Sequence, residues 1–361
     1  MINVLIVEDS AVVRELLIHI LGSDREIRIA GAVHNGEEAL EAVARERPDV
    51  ITMDIHMPRM DGLEATRRIM ETWPTPIVIV SGTEDPREAT VTFRAIEAGA
   101  LTLLPRPLGI AHPDHDATAR ELVQTVKLMS EVRVVRRWPR TRGDSAPPVL
   151  PGPVLDPAPA GMQVVALGAS TGGPPVLQAM LARLPKDFPA PVLIVQHMAA
   201  GFIEGFVHWL AQSCAMPVHV ASHGETIRAG HVYVARDGFQ MTVERGGRIV
   251  LSTDGGEGAH RPSVSCLFRS VAELYGQHAV AALLTGMGRD GAAELRVLRE
   301  KGAITFAQDQ ASCAVFGMSA EAIRLDAAMY VLRPERIADA LVSIANDRKG
   351  RRTDGIGPAY E

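Results

Sequence analysis

The sequence predicts two α/β domains, each a doubly wound parallel sheet, joined by a proline-rich linker. Strand and helix signals alternate in both parts of the chain, which is typical of parallel sheets covered by helices. The length of 361 residues suits two domains of roughly 150 residues each better than one. We expect domains at 1–125 and 162–348, a linker at 126–161 that begins as a helix end, and a tail at 349–361.

The linker prediction depends on where the prolines lie. Between Trp138 and Met162 the chain reads WPRTRGDSAPPVLPGPVLDPAPAGM, with seven prolines and neither helical nor strand periodicity. Such a segment cannot bury enough apolar surface to fold, so we expect it to be semi-extended.

Composition excludes several classes of protein. Hydrophobic residues make up 47% and charged residues 22% of the chain, as in ordinary globular proteins. A net charge of −6, with no helix-turn-helix signal or basic stripe, disfavours nucleic-acid binding. The three cysteines form no CxxC pair, so neither a zinc site nor a disulfide framework is predicted. An acidic N-terminal stretch and the absence of a long apolar run predict a cytoplasmic protein without membrane insertion.

The strands and helices of both domains can be assigned in order. In the first, apolar runs predict strands at 4–7, 27–33, 50–53, 77–80 and 101–104, and amphipathic stretches predict helices at 12–21, 36–45, 62–72 and 87–99. In the second, strands are predicted at 164–167, 192–196, 218–220, 231–234, 279–285, 303–307 and 329–332. The alternating run 241–252 predicts an antiparallel hairpin around Gly246 and Gly247.

Polar residues follow the strands of the first domain at the edge where open α/β sheets carry their sites. Glu8 and Asp9 come after the first strand, Asp54 after the third, Ser81 after the fourth and Arg106 after the fifth. Converging carboxylates repel one another unless a cation lies among them, and oxygen ligands suit Mg²⁺. The hydroxyl and the guanidinium would suit phosphoryl oxygens.

These residues resemble the receiver domain of two-component response regulators over about residues 1–125. The matching motifs are Val-Glu-Asp-Ser, Met-Asp-Ile-His-Met-Pro followed by Asp61-Gly62, Val-Ser-Gly, and Arg-Pro. The resemblance implies a flavodoxin-like fold with Asp54 as phospho-acceptor. It also implies Glu8, Asp9 and Asp54 as Mg²⁺ ligands, with Ser81 and Arg106 sensing the phosphoryl group. The family has Lys where this chain has Arg106, and the two are not interchangeable at a tight site.

Three residues of the second domain form a candidate catalytic set. Ser170 lies in a Gly-x-Ser-x-Gly turn between a strand and a helix. A serine needs a base to act as a nucleophile, and His197 follows the next strand. Asp290 follows a third strand and could orient the imidazole. The order Ser, His, Asp differs from that of α/β-hydrolases and favours a Rossmann-like sheet with an independent triad.

The second domain resembles the CheB methylesterase family over residues 163–325. The matching motifs include Gly-Ala-Ser-Thr-Gly-Gly, Gln-His-Met, His-Arg-Pro-Ser-Val and Leu-Thr-Gly-Met-Gly. The resemblance implies Ser170 as nucleophile, His197 as general base and then acid, and Asp290 as the orienting carboxylate. Backbone N–H groups of Thr171 and Met287 are our hypothesis for the oxyanion hole.

The segment His260–Ser263 allows two interpretations. Ser263 could cap a helix that starts there, or Arg261 could steer an acidic surface. The residues alone favour neither.

The resemblance implies hydrolysis of glutamate γ-methyl esters on methyl-accepting chemoreceptors, and in some family members deamidation of receptor glutamines. It implies a CheA-like histidine kinase as phosphodonor, Mg²⁺ for receiver phosphorylation and no cofactor for the esterase. In the family the unphosphorylated receiver blocks the active site. Two alternatives stay open: a non-catalytic binding output, and a serine esterase with a non-receptor substrate. A binding-only domain would be expected to lose Ser170, His197 or Asp290, and all three are present.

Overall fold

A computed structural model describes residues 1–82, 86–132, 134, 161–253 and 260–353 of the chain. The chain divides into two compact units, Met1–Ser145 and Ala146–Glu361. The prolines of the predicted linker lie outside the described residues.

The first unit contains a five-stranded parallel sheet in the order β2-β1-β3-β4-β5. Its elements are β1 (Ile2–Val7), α1 (Ala11–Gly22), β2 (Ile27–Val33), α2 (Gly36–Arg45), β3 (Val50–Met53), α3 (Gly62–Thr72), β4 (Ile77–Ser81), α4 (Pro86–Ala98), β5 (Thr102–Pro105) and α5 (His115–Ser130). This order is the flavodoxin-like one, so the predicted fold class is confirmed for this unit.

Local sequence explains where the helices of this unit start. Asn35 precedes α2 and its side chain accepts a hydrogen bond from the Glu38 backbone N–H at 3.0 Å. Asp61 caps α3 in the same way through the N–H of Glu64 at 2.8 Å. Each cap satisfies a donor that the first helical turn leaves free.

The second unit contains a seven-stranded sheet in the order β14-β13-β12-β6-β7-β9-β8, in which all pairs are parallel. Its elements are β6 (Val164–Ala169), α6 (Gly173–Leu181), β7 (Val192–Gln196), α7 (Ile203–Ala211), β8 (Val218–Val220), β9 (Val232–Val234), β10 (Gln240–Glu244), β11 (Arg248–Ser252), α8 (Val264–Leu274), β12 (Ala279–Leu283), α9 (Ala292–Glu300), β13 (Ile304–Gln308), α10 (Met318–Arg324), β14 (Tyr330–Leu332) and α11 (Pro334–Thr353), with 3₁₀ turns at Gly276–His278 and Gln310–Ser312.

The predicted parallel sheet and the predicted hairpin are both present. Strands β10 and β11 pair antiparallel, and Gly246 and Gly247 in their turn have φ values of +80° and +68°, which glycine adopts without a Cβ penalty. Helix α11 runs to Thr353, past the predicted domain boundary at 348.

Strand β6 lies at the centre of the second sheet, with β7 on one side and β12 on the other. All residues of these three strands are buried, as expected for parallel strands covered on both faces. Chain order reverses direction at β6, so the carboxyl ends of β12, β6 and β7 form the crevice where such sheets bind ligands. No helix among the described residues is both long and apolar enough to span a bilayer.

Gly62, at the start of α3, packs against the backbone of Asp54 directly after β3. A Cβ at this position would lie 1.9 Å from the Asp54 carbonyl oxygen, whereas a Cβ at Gly22 would meet nothing within 4 Å. We expect Gly62→Ala to destabilise the first unit by about 1–3 kcal/mol through overpacking. Hydrogen exchange of β3 and α3 should then accelerate, while the control Gly22→Ala leaves it unchanged or slower. Equal exchange in both variants would contradict this packing.

Candidate active site and acidic site

The three predicted catalytic residues follow the three central strands of the second sheet. Ser170 comes directly after β6 and His197 directly after β7. The preceding residues, Ala169 and Gln196, are register partners, and the His197 N–H donates to the Ala169 carbonyl oxygen at 2.9 Å. Ser170 and His197 therefore lie side by side at the edge of the sheet.

A hydrogen bond joins His197 to Asp290. The distance between His197 Nε2 and Asp290 Oδ2 is 2.9 Å, and both side chains are largely buried. Nδ1 is then the ring nitrogen left for Ser170. Among the described residues Ser170 Oγ has no hydrogen-bond partner, and catalytic contacts of this kind often tighten only when substrate binds.

The carboxylate of Asp290 lies at the N-terminus of α8. Its Oδ1 accepts from Ser263 Oγ at 2.9 Å and from the Ser265 N–H at 3.0 Å. Its Oδ2 also accepts from the Val264 N–H at 2.7 Å. Burial alone would raise the pKa of Asp290, but hydrogen bonds from His197 and Ser265 hold it well below its usual range. Asp290 is therefore a fixed anion.

The cap predicted for this helix differs in detail from the observed one. Ser263 occupies the N-cap position of α8, as one of the two interpretations expected, but its side chain makes no cap hydrogen bond. The Ser263 hydroxyl donates to Asp290 instead, and the Asp290 carboxylate accepts from the first helical N–H groups. Arg261 is exposed, and its predicted steering role stays a prediction.

Gln196 ties together the two loops that carry Ser170 and His197. Its Nε2 donates to the Ser170 carbonyl oxygen at 2.9 Å and to the His197 carbonyl oxygen at 2.7 Å. Gly173 leaves room for this side chain, because a Cβ there would lie 2.1 Å from Gln196 Oε1. Sequence reasoning missed this role, although the Gln-His-Met motif contains the residue.

Thr285 connects the serine loop to a second loop and is fully buried. Its hydroxyl donates to the Thr171 carbonyl oxygen at 2.9 Å and accepts from the Val315 N–H at 3.0 Å. A Cβ at the next residue, Gly286, would lie 2.6 Å from the Cβ of Ser170. The 285–287 segment therefore passes very close to the serine.

This close approach bears on the predicted oxyanion hole. Thr171 and Met287 lie directly after the two residues in contact, Ser170 and Gly286. Within the described part of the chain, neither the Thr171 N–H nor the Met287 N–H has a hydrogen-bond partner. Both N–H groups are therefore free to donate a hydrogen bond to an oxyanion.

The predicted acidic residues of the first unit also meet at one edge. Ligand oxygens of Glu8, Asp9 and Asp54 lie within 4.8 Å of one another. Arg106 Nη2 lies 2.9 Å from Asp54 Oδ2 and 3.2 Å from Glu8 Oε1. Ser81 is buried at the end of β4, and its carbonyl oxygen accepts from the Arg106 N–H at 3.0 Å.

The Glu8 and Asp54 side chains are buried and only partly satisfied. Burial, together with the charge of Asp54, raises the pKa of Glu8 to about 7. Burial likewise raises the pKa of Asp54, although Arg106 opposes the shift. Glu8 Oε2 and Asp54 Oδ1 are buried without a hydrogen-bond partner among the described residues. A hard cation would satisfy these oxygens, so the residues fit Mg²⁺.

Comparison with known proteins gives two family matches. A CheB methylesterase family model matches residues 165–341, and a response regulator receiver domain model matches residues 4–112. The chain is 61% identical to a Nitrosospira multiformis protein named protein-glutamate methylesterase/protein-glutamine glutaminase, over 96% of this chain and 98% of that one. A Geobacter metallireducens protein of the same name and numbered 4 is 55% identical over 96% and 100% of the two chains.

Solved structures also match each part of the chain. The CheB methylesterase catalytic domain of Thermotoga maritima is 34% identical and covers 50% of this chain and 98% of its own, with a TM-score of 0.49. The response regulator domain of Thermotoga maritima CheB is 34% identical and covers 37% and 98% of the two chains, with a TM-score of 0.34.

Replacing Asp290 tests the orientation of His197. Asp290→Asn removes the negative charge and offers His197 an amide, so we expect a loss of about 10³–10⁴-fold in serine reactivity. The rate at which a fluorophosphonate probe labels Ser170 measures this without any assumption about substrate. The control Asp339→Asn, which removes an ion-pair partner of Arg183, should label like wild type. Wild-type labelling of Asp290→Asn would mean that His197 is oriented by other groups.

Proposed function

Because the chain belongs to the CheB methylesterase family, with a response-regulator receiver domain ahead of the catalytic domain, we propose that it hydrolyses glutamate γ-methyl esters on chemoreceptors. The substrate would be the cytoplasmic helices of methyl-accepting receptors, and the protein would act in the cytoplasm. The names of the relatives support the reaction, and the receiver domain supports a role in signalling.

One observation carries this proposal: an ionised, buried carboxylate holds His197 beside Ser170. An ionised Asp290 can only accept a hydrogen bond, so His197 Nε2 carries the proton in their 2.9 Å contact. Nδ1 then has a free lone pair and is the base. This arrangement has the roles of a Ser-His-Asp triad.

In the first half of the reaction, Ser170 becomes acylated. Its hydroxyl proton passes to His197 Nδ1 while Oγ forms a bond to the ester carbonyl carbon. The Thr171 and Met287 N–H groups would bind the resulting oxyanion, and the loss of one such donor typically costs about 2.7–4 kcal/mol. Asp290 stabilises the imidazolium that forms.

Collapse of this tetrahedral intermediate completes the acylation: the bond to the methoxy oxygen breaks, and His197 Nδ1 gives its proton to that oxygen, so that methanol leaves. In the second half, a water molecule gives a proton to Nδ1 and its oxygen attacks the acyl carbon. The second tetrahedral intermediate then collapses, the bond to Ser170 Oγ breaks, and His197 returns the proton to Oγ. A glutamate side chain is released and the enzyme is restored.

Glutamine deamidation is a second reaction of the same site. The curated relatives carry both activities in their names. The two reactions share the acyl-enzyme step, since ammonia leaves in place of methanol when the substrate is a primary amide. We propose it as an activity that accompanies ester hydrolysis.

We further propose that phosphorylation of Asp54 by a CheA-like histidine kinase regulates the esterase. Glu8, Asp9 and Asp54 would hold Mg²⁺, which supplies positive charge to the phosphoryl oxygens. Arg106 already lies against Asp54 and would pair with the phosphoryl group, and Ser81 would donate its hydroxyl to it. Phosphorylation and Mg²⁺ binding would shift the equilibrium between an inhibited and an active state of the protein only if they favour one of the two states over the other.

Removal of the nucleophile tests the reaction. Ser170→Ala has no oxygen to acylate, so we expect methanol release from methylated receptor to fall to background while the fold is retained. Timed methanol release, with melting temperature as the check on folding, measures both. Ser213→Ala, a change at a serine beyond the end of α7, is the matched control. Wild-type turnover by Ser170→Ala would refute the proposal.

Removal of the phospho-acceptor tests the regulation. Acetyl phosphate with Mg²⁺ should increase methanol release by wild type and leave Asp54→Ala unchanged, because no acceptor carboxylate remains. Asp116→Ala, which removes an exposed carboxylate at the start of α5, should respond like wild type. An equal response in wild type and Asp54→Ala would contradict regulation through this residue.

A further inference from the structure

A second histidine lies against the catalytic one. The ring of His260 stacks on the ring of His197 with centroids 4.5 Å apart and an angle of 20° between the planes. His260 belongs to the His-Arg-Pro-Ser segment, for which the sequence left two interpretations open, and neither of them involves His260 itself. The stacking gives this residue a role of its own.

The side chain of Gln240 holds the backbone around His260 in place. Gln240 is buried, and its Nε2 donates to the His260 carbonyl oxygen at 2.8 Å. Its Oε1 accepts from the Ser263 N–H at 2.8 Å. One amide group therefore fixes the turn that places His260 over His197 and Ser263 against Asp290. The same short segment contacts both partners of the catalytic hydrogen bond.

A single hydrogen bond does not fix the plane of an imidazole ring. The contact from His197 Nε2 to Asp290 fixes one atom, and the ring can still rotate about that direction. The lone pair of Nδ1 lies in the ring plane, so any rotation of the ring changes the direction in which this lone pair points. A second ring packed against its face restricts this rotation, because a turned ring would collide with its neighbour.

The charge state of His260 fits this role. Burial and the proximity of His197 lower the pKa of His260, so its ring is neutral near pH 7. The stacked ring therefore adds no positive charge beside the imidazolium that forms on His197 when it takes the serine proton.

We propose that His260 is a positioning residue that fixes the ring plane of His197 by stacking and so directs Nδ1 at Ser170. This inference rests on the proposed function, because it assigns a role in the same acyl transfer. It requires a planar ring at position 260 and makes no use of the nitrogen atoms of His260.

Two substitutions distinguish a requirement for a planar ring at position 260 from a requirement for side-chain volume alone. His260→Leu fills the position without a flat face, and we expect fluorophosphonate labelling of Ser170 to slow by about 10–10²-fold, as for a misplaced catalytic group. His260→Phe restores a flat ring and should label within a few fold of wild type. His208→Leu, at an exposed histidine of α7, is the control and should leave the rate unchanged.

Methanol release from methylated receptor provides the second readout. In His260→Leu the kcat should fall while KM stays near its wild-type value, because the lost alignment matters in the transition state and not in substrate binding. Melting temperatures identify any variant that fails to fold, and His260→Phe then decides the test by itself.

The proposal fails if His260→Leu labels at the wild-type rate, or if a folded His260→Phe is as slow as His260→Leu. The latter result would assign the role to the nitrogen atoms of His260. Failure of the proposed function is distinguishable: a wild-type chain that takes the label but releases no methanol would refute the substrate and leave the labelling comparison valid.

Discussion

The catalytic domain depends on the contact between the Asp290 carboxylate and the N-terminus of α8. The first N–H groups of a helix need acceptors, and a buried carboxylate needs donors. Here the N–H groups of Val264 and Ser265 donate to the Asp290 carboxylate, so the same two hydrogen bonds satisfy the helix and the carboxylate. The contact starts the helix, keeps Asp290 ionised and fixes its position, so the acceptor for His197 is in place before substrate arrives. The same hydrogen bonds therefore serve both the start of α8 and the site.

Sheet topology brings the remaining parts to this anion. Because β6 lies between β12 and β7, loops that are distant in sequence meet at one edge. Small residues then permit backbone contact: a Cβ at Gly286 would collide with Ser170, and one at Gly173 with Gln196. Glycine is therefore required at these positions because the loops approach so closely. The same close approach brings the free N–H groups of Thr171 and Met287 near the serine.

The positions of the strands along the chain and the polar residues at their ends could be predicted, because both follow from local pattern. Apolar runs located the sheets, and Ser170, His197, Asp290, Glu8 and Asp54 could be found as polar residues directly after or soon after a strand. Gln196, Thr285 and His260 could not. Their roles depend on which carbonyl, hydroxyl or ring lies across the loop, and that distance exists only after the strands have paired. Ser263 lies at a helix start, as one of the two interpretations predicts, but its partner Asp290 comes from the loop that follows another strand.

Each domain carries its site at the carboxyl ends of the strands of its own sheet, but the carboxylates of the two sites differ in how well they are hydrogen-bonded. Asp290 is surrounded by donors, which keep it charged at all times, as a residue that must stabilise a transient imidazolium requires. Burial raises the pKa values of Glu8 and Asp54, and each carboxylate has an oxygen that lacks a hydrogen-bond donor among the described residues. Arg106 relieves only part of this cost. A cation that binds to unpaired carboxylate oxygens stabilises them, so the net charge of this site can change by binding. The Asp290 carboxylate already has its hydrogen bonds, so a cation would stabilise it less. The contrast in donors fits the two proposed roles: Asp290 as a permanent anion in catalysis, and Glu8 and Asp54 as part of a site whose charge changes when a cation or a phosphoryl group binds.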